Sequence, residues 1–397
     1  MIYDALVIGG GPGGATSALL LARAGWRVAV IEKAEFPRRK VCGEFISASS
    51  LPLLRELGVE DAFLAAAGPV VQRVGLFARD DMLTAAMPER SERAGRWGRA
   101  LGREYLDRLL LEAAARAGAT VWQPWRAIEI RAGSRGFTCT AGAKATSVEL
   151  AAPVVIAANG SWERGPFPMP FVSEHRASDL LAFKAHFRDS GLPPGLMPLL
   201  AFPGGYGGMV HSDGGRVSLS CCIRRDALQH ARERHGERHA ATAVLRHIEA
   251  SCAGVRDALR RAVPDDVWLS AGPIRPGLRR RYADGVFYVG NAAGEAHPIV
   301  AEGISMALQS AGLLARHLIA RQNELPAGDA LRAAAQRYDA DWRAGFSGRI
   351  QAAALFAHLA MRPATVATLL PVLRLFPRIL TFGARLSGKS NAVVAAP

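Results

Sequence analysis

The chain has 397 residues, a length that calls for two or three domains rather than one core. Half of it is hydrophobic and 21% is charged, which is globular composition and excludes disorder. The formal net charge of +14 rests on 49 Lys and Arg, only five of them lysines, and favours anionic partners such as phosphorylated cofactors or acidic lipid surfaces. With aromatics at 7% and no nucleic-acid motif, a nucleic-acid partner is excluded. The five cysteines are few and odd in number and fit a reducing cytoplasm. No charged leader with an apolar segment precedes the first strand, and no uncharged apolar run of about 18 residues occurs. Neither a signal peptide nor a spanning helix is therefore expected.

The segment Asp4 to Lys33 organises everything after it. Ala5 to Ile8 reads as a buried strand, Gly9-Gly-Gly-Pro-Gly-Gly14 fits G-x-G-x-x-G, and Ala15 to Ala24 reads as a helix ended by Gly25. A second strand, Val28 to Ile31, ends at Glu32. Gly9 allows the tight turn, Gly11 lets a pyrophosphate approach the backbone, and Gly14 lets the helix lie close to the sheet. Pro12, Gly13 and Ala15 open the helix, whose N-terminal N–H groups suit phosphate. Glu32, with Lys33 beside it, stands where a ribose-binding acid belongs. Strand, turn, helix, strand and acid in that order predict dinucleotide binding, without separating FAD from NAD.

A basic loop follows, Phe36 to Glu44, with Lys40 and Cys42 placed to pass over a cofactor. Ser47 to Leu57 reads as a short helix, and Arg103 to Ala117 as an amphipathic one capped by Gly118. Thr120 to Trp125 and Ala127 to Ile130 read as strands, and Phe137 to Thr140 with Ser147 to Leu150 as a hairpin. Val154 to Ala158 is a strand ending in the turn Asn159-Gly160, a usual place to meet a ligand. Residues 166–270 differ: short β-like runs alternate with Gly/Pro turns, predicting an antiparallel sheet, and Asp226 to Ala262 reads as mostly helix. His235 and His239 are one helical turn apart but lack the neighbouring acid of a metal-binding helix, so no metal is expected. Cys221 and Cys222, adjacent in a strand, point to opposite faces and read as packing residues.

A second motif lies at Gly285 to Ala311, where a strand ends at Gly290-Asn291 and a loop through His297-Pro298 leads to Gly303, Ile304 and a small-residue helix. The pair of motifs resembles the flavoprotein group of the para-hydroxybenzoate-type hydroxylases and the geranylgeranyl reductases. That group carries a late G-D-A-A-H-x-x-x-P-x-x-G-x-G-x-x-x-A segment, which Gly290, Ala292, Ala293, Pro298, Gly303 and Ala307 match in register. Arg103-x-x-Leu-Asp resembles the group's FAD anchor, and Lys40-Val-Cys-Gly-Glu44 resembles the reductases' loop beside flavin and substrate. The resemblance implies FAD, with Gly290-Asn291 at the ribityl phosphate and the helix start near Gly303 facing the flavin ring. Four positions depart from the pattern: Asn291 stands for the usual Asp, Gly294 for a His, Asn159 for the Asp of the middle motif, and Ala301 for the first Gly of the late G-x-G. The W-x-W-x-I-P motif of flavin halogenases is absent, which argues against halogenation.

The expected fold is α/β: a Rossmann-type FAD-binding domain, an antiparallel-sheet substrate domain and C-terminal helices. The FAD-binding domain takes residues 1–165, with a substrate-domain insertion near 45–95, and 271–320; the substrate domain takes 166–270 and the helical region 321–397. The favoured function is an NAD(P)H- and O2-dependent monooxygenase hydroxylating a lipophilic phenol or resorcinol-like ring, with Cys42, Tyr206 and His297 as candidate catalytic residues. The alternative is a reductase saturating isoprenoid double bonds, and a second alternative is a flavin electron-transfer or binding component. The apolar tail Gln351 to Pro377, with its arginines, reads as helices packed on the flavin domain. As a basic amphipathic edge it would instead lie on the inner face of the cell membrane.

Overall fold

In the computed structural model the described residues are 1–89, 97–134, 136–161, 166–167, 175–324 and 328–389. Six strands form the first sheet, in the order Tyr282–Ala283, Val286–Tyr288, Val154–Ala157, Ala5–Ile8, Val28–Ile31, Thr120–Trp122. All neighbours run parallel except the edge strand Tyr282–Ala283. Its central strands are buried on both faces, which is why they read as unbroken apolar runs. Helices Pro12–Arg23, Arg103–Arg116 and Gly303–Ile319 cover the sheet, and a three-stranded meander (126–133, 136–143, 146–152) adjoins it. The FAD-type half is thus assembled from the start and the end of the sequence, as the paired motifs require.

The second sheet has eight strands. It is antiparallel except where Leu196–Phe202 pairs parallel with Arg73–Ala78, the strand that the insertion near 45–95 supplies. Its core is separate, built from residues such as Phe183, Leu200, Phe202, Leu219, Val244 and Ile248. Cys222 belongs to the core of the flavin half and Cys221 to this one, so the adjacent cysteines do face opposite ways.

Some local expectations shift. The first helix begins at Pro12, three residues before Ala15, because proline with its fixed φ suits the first helical position. His235 and His239 do not share a helix. Gly236, left-handed at φ +64°, ends the first helix, and His239 precedes the next. Among the described residues no cluster of three or more His, Cys, Asp or Glu is arranged to hold a metal. The tail forms three helices, Gly328–Ala360, Pro363–Leu375 and Arg378–Leu386. No single described helix is long and apolar enough to cross a membrane.

Candidate functional site

A groove opens where strand Ala5–Ile8 runs into the glycine turn. Gly9 has φ +109°, and a Cβ there would lie 2.6 Å from the Ala158 carbonyl oxygen. At Gly14 a Cβ would lie 1.8 Å from the Gly9 carbonyl oxygen, so the helix sits as close to the turn as bare backbone allows. Gly11 faces the open groove, with only the guanidinium groups of Arg103 and Arg38 within reach of a Cβ, at 3.5 and 3.9 Å. No side chain caps the helix that starts at Pro12. Its first N–H groups and positive end therefore face a cradle flanked by two arginines, which suits a pyrophosphate.

Arg103 is buried and bound through two hydrogen bonds to Asp107, at 2.7 and 2.8 Å. Burial works against its charge, and the Asp107 carboxylate more than restores it, leaving the guanidinium above its ordinary pKa. The Arg38 Nη2 lies 3.6 Å from Glu32 and 3.8 Å from Asp107, while its buried Nε has no partner among the described residues. Glu32 accepts the Gly10 N–H at 2.7 Å and the Ala34 N–H at 2.8 Å, so the backbone aims its carboxylate. Lys33, Lys40, Cys42, Asn159 and Gly160 line the same groove, as do Pro12, Gly13, Gly290, Asn291, Gly303 and Ile304. Gly14 and Ala15 lie behind the lining and act by allowing close packing. These residues fit FAD: an open glycine cradle, a fixed acid for a ribose, and an arginine lining the groove whose buried Nε has no partner among the described residues.

The late motif closes the far end. The Asn291 amide donates to Ser161 Oγ at 3.0 Å and to Glu295 Oε1 at 3.1 Å. Glu295 also accepts from Ser161 at 2.9 Å and from Arg279 at 2.9 Å. It is buried, and burial raises its carboxyl pKa against the pull of Arg279. Ala301 adopts φ 51°, ψ 41°, the left-handed conformation that the family's glycine would take at no steric cost. Among the described residues no side chain caps the helix Gly303–Ile319 that follows, and its positive end suits a negatively charged group.

Beyond the groove lies a second pocket of about 130 Å³, between the loop Val41–Phe45, the second sheet and the segment Ala296–Ile299. It meets the groove at Val41, Cys42, Asn291, Gly303 and Ile304, which line both. Pro298 lines this pocket and not the groove. Cys42 and Tyr206 both line this pocket, but His297 stands behind Tyr206 and lines an outer cavity with His247, His358 and Arg362. The Tyr206 hydroxyl is 3.0 Å from His297 Nδ1. Burial, with a smaller contribution from His358, lowers the His297 pKa to about 4, so the ring is neutral at pH 7. Burial, with Cys222 beside it, raises Tyr206 well above its ordinary value, so its hydroxyl stays protonated next to that neutral ring.

Glu44 closes the Lys40-Val-Cys-Gly-Glu44 segment, but its partners lie outside every motif. Glu44, left-handed at φ 63° and fully buried, pairs with Lys184 and with His186 Nε2 at 2.8 Å. His186 Nδ1 meets Arg39 at 3.0 Å, and Arg39 pairs with Asp266 at the surface. Burial alone would raise the Glu44 pKa, but the His186 hydrogen bond and the Lys184 charge bring it down to about 2. This buried network fixes the loop that carries Cys42. Its signal in the sequence was a lysine inside the apolar strand Leu180–Arg188 of a chain that otherwise uses arginine. Arg38, inside the basic loop, was not singled out, whereas Asp107 is the acid of the Arg103-x-x-Leu-Asp segment and holds Arg103.

A dinucleotide groove that continues into an apolar pocket beneath a separate sheet defines an FAD-dependent oxidoreductase. The family model described as FAD binding domain matches residues 2–344, and the chain belongs to that family. A conditioned medium factor receptor 1 from Dictyostelium discoideum is 26% identical over 366 residues, covering 87% of this chain and 68% of that protein. Digeranylgeranylglycerophospholipid reductase 1 from Methanothermobacter thermautotrophicus is 27% identical over 331 residues, covering 80% of this chain and 77% of the reductase. The fold is also that of PqsL from Pseudomonas aeruginosa, described as a probable FAD-dependent monooxygenase, with a TM-score of 0.72, 19% identity, and coverage of 94% of this chain and 100% of that one.

Proposed function

We propose that the protein is an NAD(P)H- and O2-dependent monooxygenase that hydroxylates a lipophilic phenol or resorcinol-like ring in the pocket of Cys42 and Tyr206. The observation that carries this reading is the Tyr206–His297 pair, a hydroxyl 3.0 Å from the Nδ1 of a buried imidazole that is neutral at pH 7. A phenol is most reactive toward an electrophilic oxygen as its phenolate, so the site needs a proton acceptor near the ring. Tyr206 can take a proton from a substrate hydroxyl as it passes its own to His297 Nδ1. The outer cavity lined by His358 and Arg362 then offers that proton a way to solvent.

FAD, when bound, supplies the redox chemistry, reduced by the nicotinamide nucleotide and reoxidised by O2. The chain's own residues do the rest. Gly11, Arg38, Arg103 and Glu32 hold the adenosine and pyrophosphate end, and Asn291, Glu295 and Gly303 hold the other. The apolar wall of Met197, Leu199 and Ile299 excludes water and orients the ring.

A second reading, saturation of an isoprenoid double bond, is favoured by a specific feature: Cys42 of the Lys-x-Cys-Gly-Glu loop lies where the groove meets the pocket. One experiment separates the two. NAD(P)H oxidation is followed with a long-chain phenol and with a polyprenyl lipid, in air and under anaerobiosis. Oxygen-dependent product from the phenol supports hydroxylation, and oxygen-independent saturation of the lipid replaces it with reduction. Tyr206→Phe should lower phenol turnover by about 100-fold, the usual size of a lost proton-transfer group. Undiminished turnover in that variant removes the relay.

A further inference from the structure

The family match ends at residue 344, yet the chain continues through the rest of helix Gly328–Ala360 and two more helices. Those additional residues enclose a cavity of about 320 Å³ against the second sheet. Its lining is hydrocarbon almost throughout, from Leu200 and Ala201 on the sheet to Phe356, Val366 and Leu380 on the helices. Such a lining gives water nothing to bond to, and an unfilled space of this size costs stability.

The two ends of the cavity show its purpose. At the inner end Met197, Leu199 and Ile299 line both this cavity and the pocket of Cys42 and Tyr206. At the outer end Leu369, Val372 and Ile379 line the cavity while being 37–45% exposed. The pocket and the cavity therefore share a wall of Met197, Leu199 and Ile299, and the apolar lining continues from that wall to the surface. The inner wall is pinned: Lys389 donates to the Val300 carbonyl at 2.6 Å and to Glu302 at 2.8 Å, tying the chain after the last helix to the loop before Gly303.

The surface around the mouth is apolar too. Leu375, Phe376, Phe382 and Leu386 are exposed, and Ile379, Phe382 and Leu386 share one face of helix Arg378–Leu386. Arg378 and Arg385, seven residues apart and exposed, flank that face, and Arg362 is exposed near the other helix end. Bulky hydrocarbon beside arginines suits the boundary of a bilayer carrying anionic lipids.

We propose that this cavity is a binding site for the hydrocarbon tail of an amphiphilic substrate, and that the helices of residues 363–386 dock on an anionic bilayer from which that substrate enters. The proposal rests on the reading that the reacting head lies at Cys42 and Tyr206. The tail would run outward past Ile299, between the sheet and helix Pro363–Leu375, to the mouth at Leu369 and Ile379.

The test uses the full chain loaded with FAD and a probe that is not turned over, the fluorescent polyene cis-parinaric acid. It is displaced by 4-alkylphenols of increasing chain length. Displacement should tighten by about fourfold per methylene until the cavity is filled. Gly383→Leu adds a side chain at a cavity-lining helix position where a Cβ would meet only Phe356, at 3.7 Å. It should weaken the probe at least tenfold while the flavin spectrum stays intact. If that variant fails to fold, Leu369→Glu puts a charge in the mouth and should do the same. No dependence on chain length, or unchanged probe affinity in a folded variant, overturns the tail site. For docking, flotation with phosphatidylcholine vesicles containing phosphatidylglycerol should show salt-sensitive binding, reduced at least fivefold by Phe376→Ser with Phe382→Ser. Equal flotation of that double variant, or capture by an acidic acyl carrier protein with no flotation, overturns access from a bilayer. Tight probe binding without oxygen-dependent product leaves the tail site standing and removes the hydroxylation reading alone.

Discussion

The side-chain amide of Asn291 donates to the buried carboxylate of Glu295 at 3.1 Å. The family pattern has an aspartate where Asn291 stands; in this chain the carboxylate of this corner is Glu295, four residues further on. With Glu295 in place and already raised in pKa by burial, a second carboxylate beside it would be a buried like charge. Asn291 is therefore the residue that position 295 requires. Its oxygen and Ser161 keep the corner polar for the cofactor.

The first prediction follows from that pair. Asn291→Asp, the family residue, should weaken FAD retention by about 10–100-fold, equivalent to roughly 1.4–3 kcal/mol, because two carboxylates must share one proton or repel. Adding Glu295→Gln should restore retention. FAD titration of the two variants by fluorescence quenching checks both statements. An Asn291→Asp protein that binds FAD as tightly as the parent sinks the account.

Glu44 and Lys184 have no solvent at either side chain. Removing one partner of a buried pair leaves the other charge uncompensated, at a cost of about 3–5 kcal/mol. Lys184→Met should therefore cost that much in urea unfolding. Glu44→Gln combined with Lys184→Met should cost much less than the sum of the single changes. Because the loop carrying Cys42 hangs on Glu44, the single variant should also purify with less FAD. Additive single costs would mean that the pair is not coupled.

Ala301 pays a steric penalty at φ 51° that glycine does not. Ala301→Gly relieves about 1–2 kcal/mol of that strain and loses roughly 0.5–1 kcal/mol to the greater freedom of the unfolded chain. The variant should gain about 0.5–1 kcal/mol, seen as a higher midpoint in thermal or urea unfolding. A loss of stability would show that the Cβ of Ala301, packed near Phe45 and Val210, contributes more than the strain costs.

The FAD half of the fold was legible because its demands are local. Gly9, Gly11, Gly14 and Glu32 each answer a requirement of one turn, and the strands around them are unbroken apolar runs. The relay and the buried network were not legible in that way. Tyr206 and His297 were placed together at one site with Cys42, but nothing in their spacing of 91 residues says that the ring stands behind the hydroxyl. Glu44 and Lys184, 140 residues apart, meet only through the tertiary fold. The tail was read as helices packed on the flavin domain; helices it has, but the last two rest on the second sheet, and a cavity is a property of how helices rest on a sheet. No periodicity within Gln351 to Pro377 encodes it.

The pH dependence of stability tests the environment of His297. Its pKa is 6.5 when unfolded and about 4 when folded, lowered by burial first and by His358 second. Between those values the unfolded chain binds the proton and the folded chain does not, so stability rises with pH across that window. Above pH 6.5 the ring is neutral in both states and imposes no penalty. Below about pH 4 the full penalty applies, at most about 3 kcal/mol for a shift of this size. His297→Gln, which keeps an acceptor for the Tyr206 hydroxyl but does not titrate, should flatten the parent's stability profile between pH 4 and 6.5. Urea unfolding at half-unit pH intervals gives the measurement. Parallel profiles for parent and variant would show that His297 is hydrated and ordinary, and the neutral imidazole behind Tyr206 would fall with it.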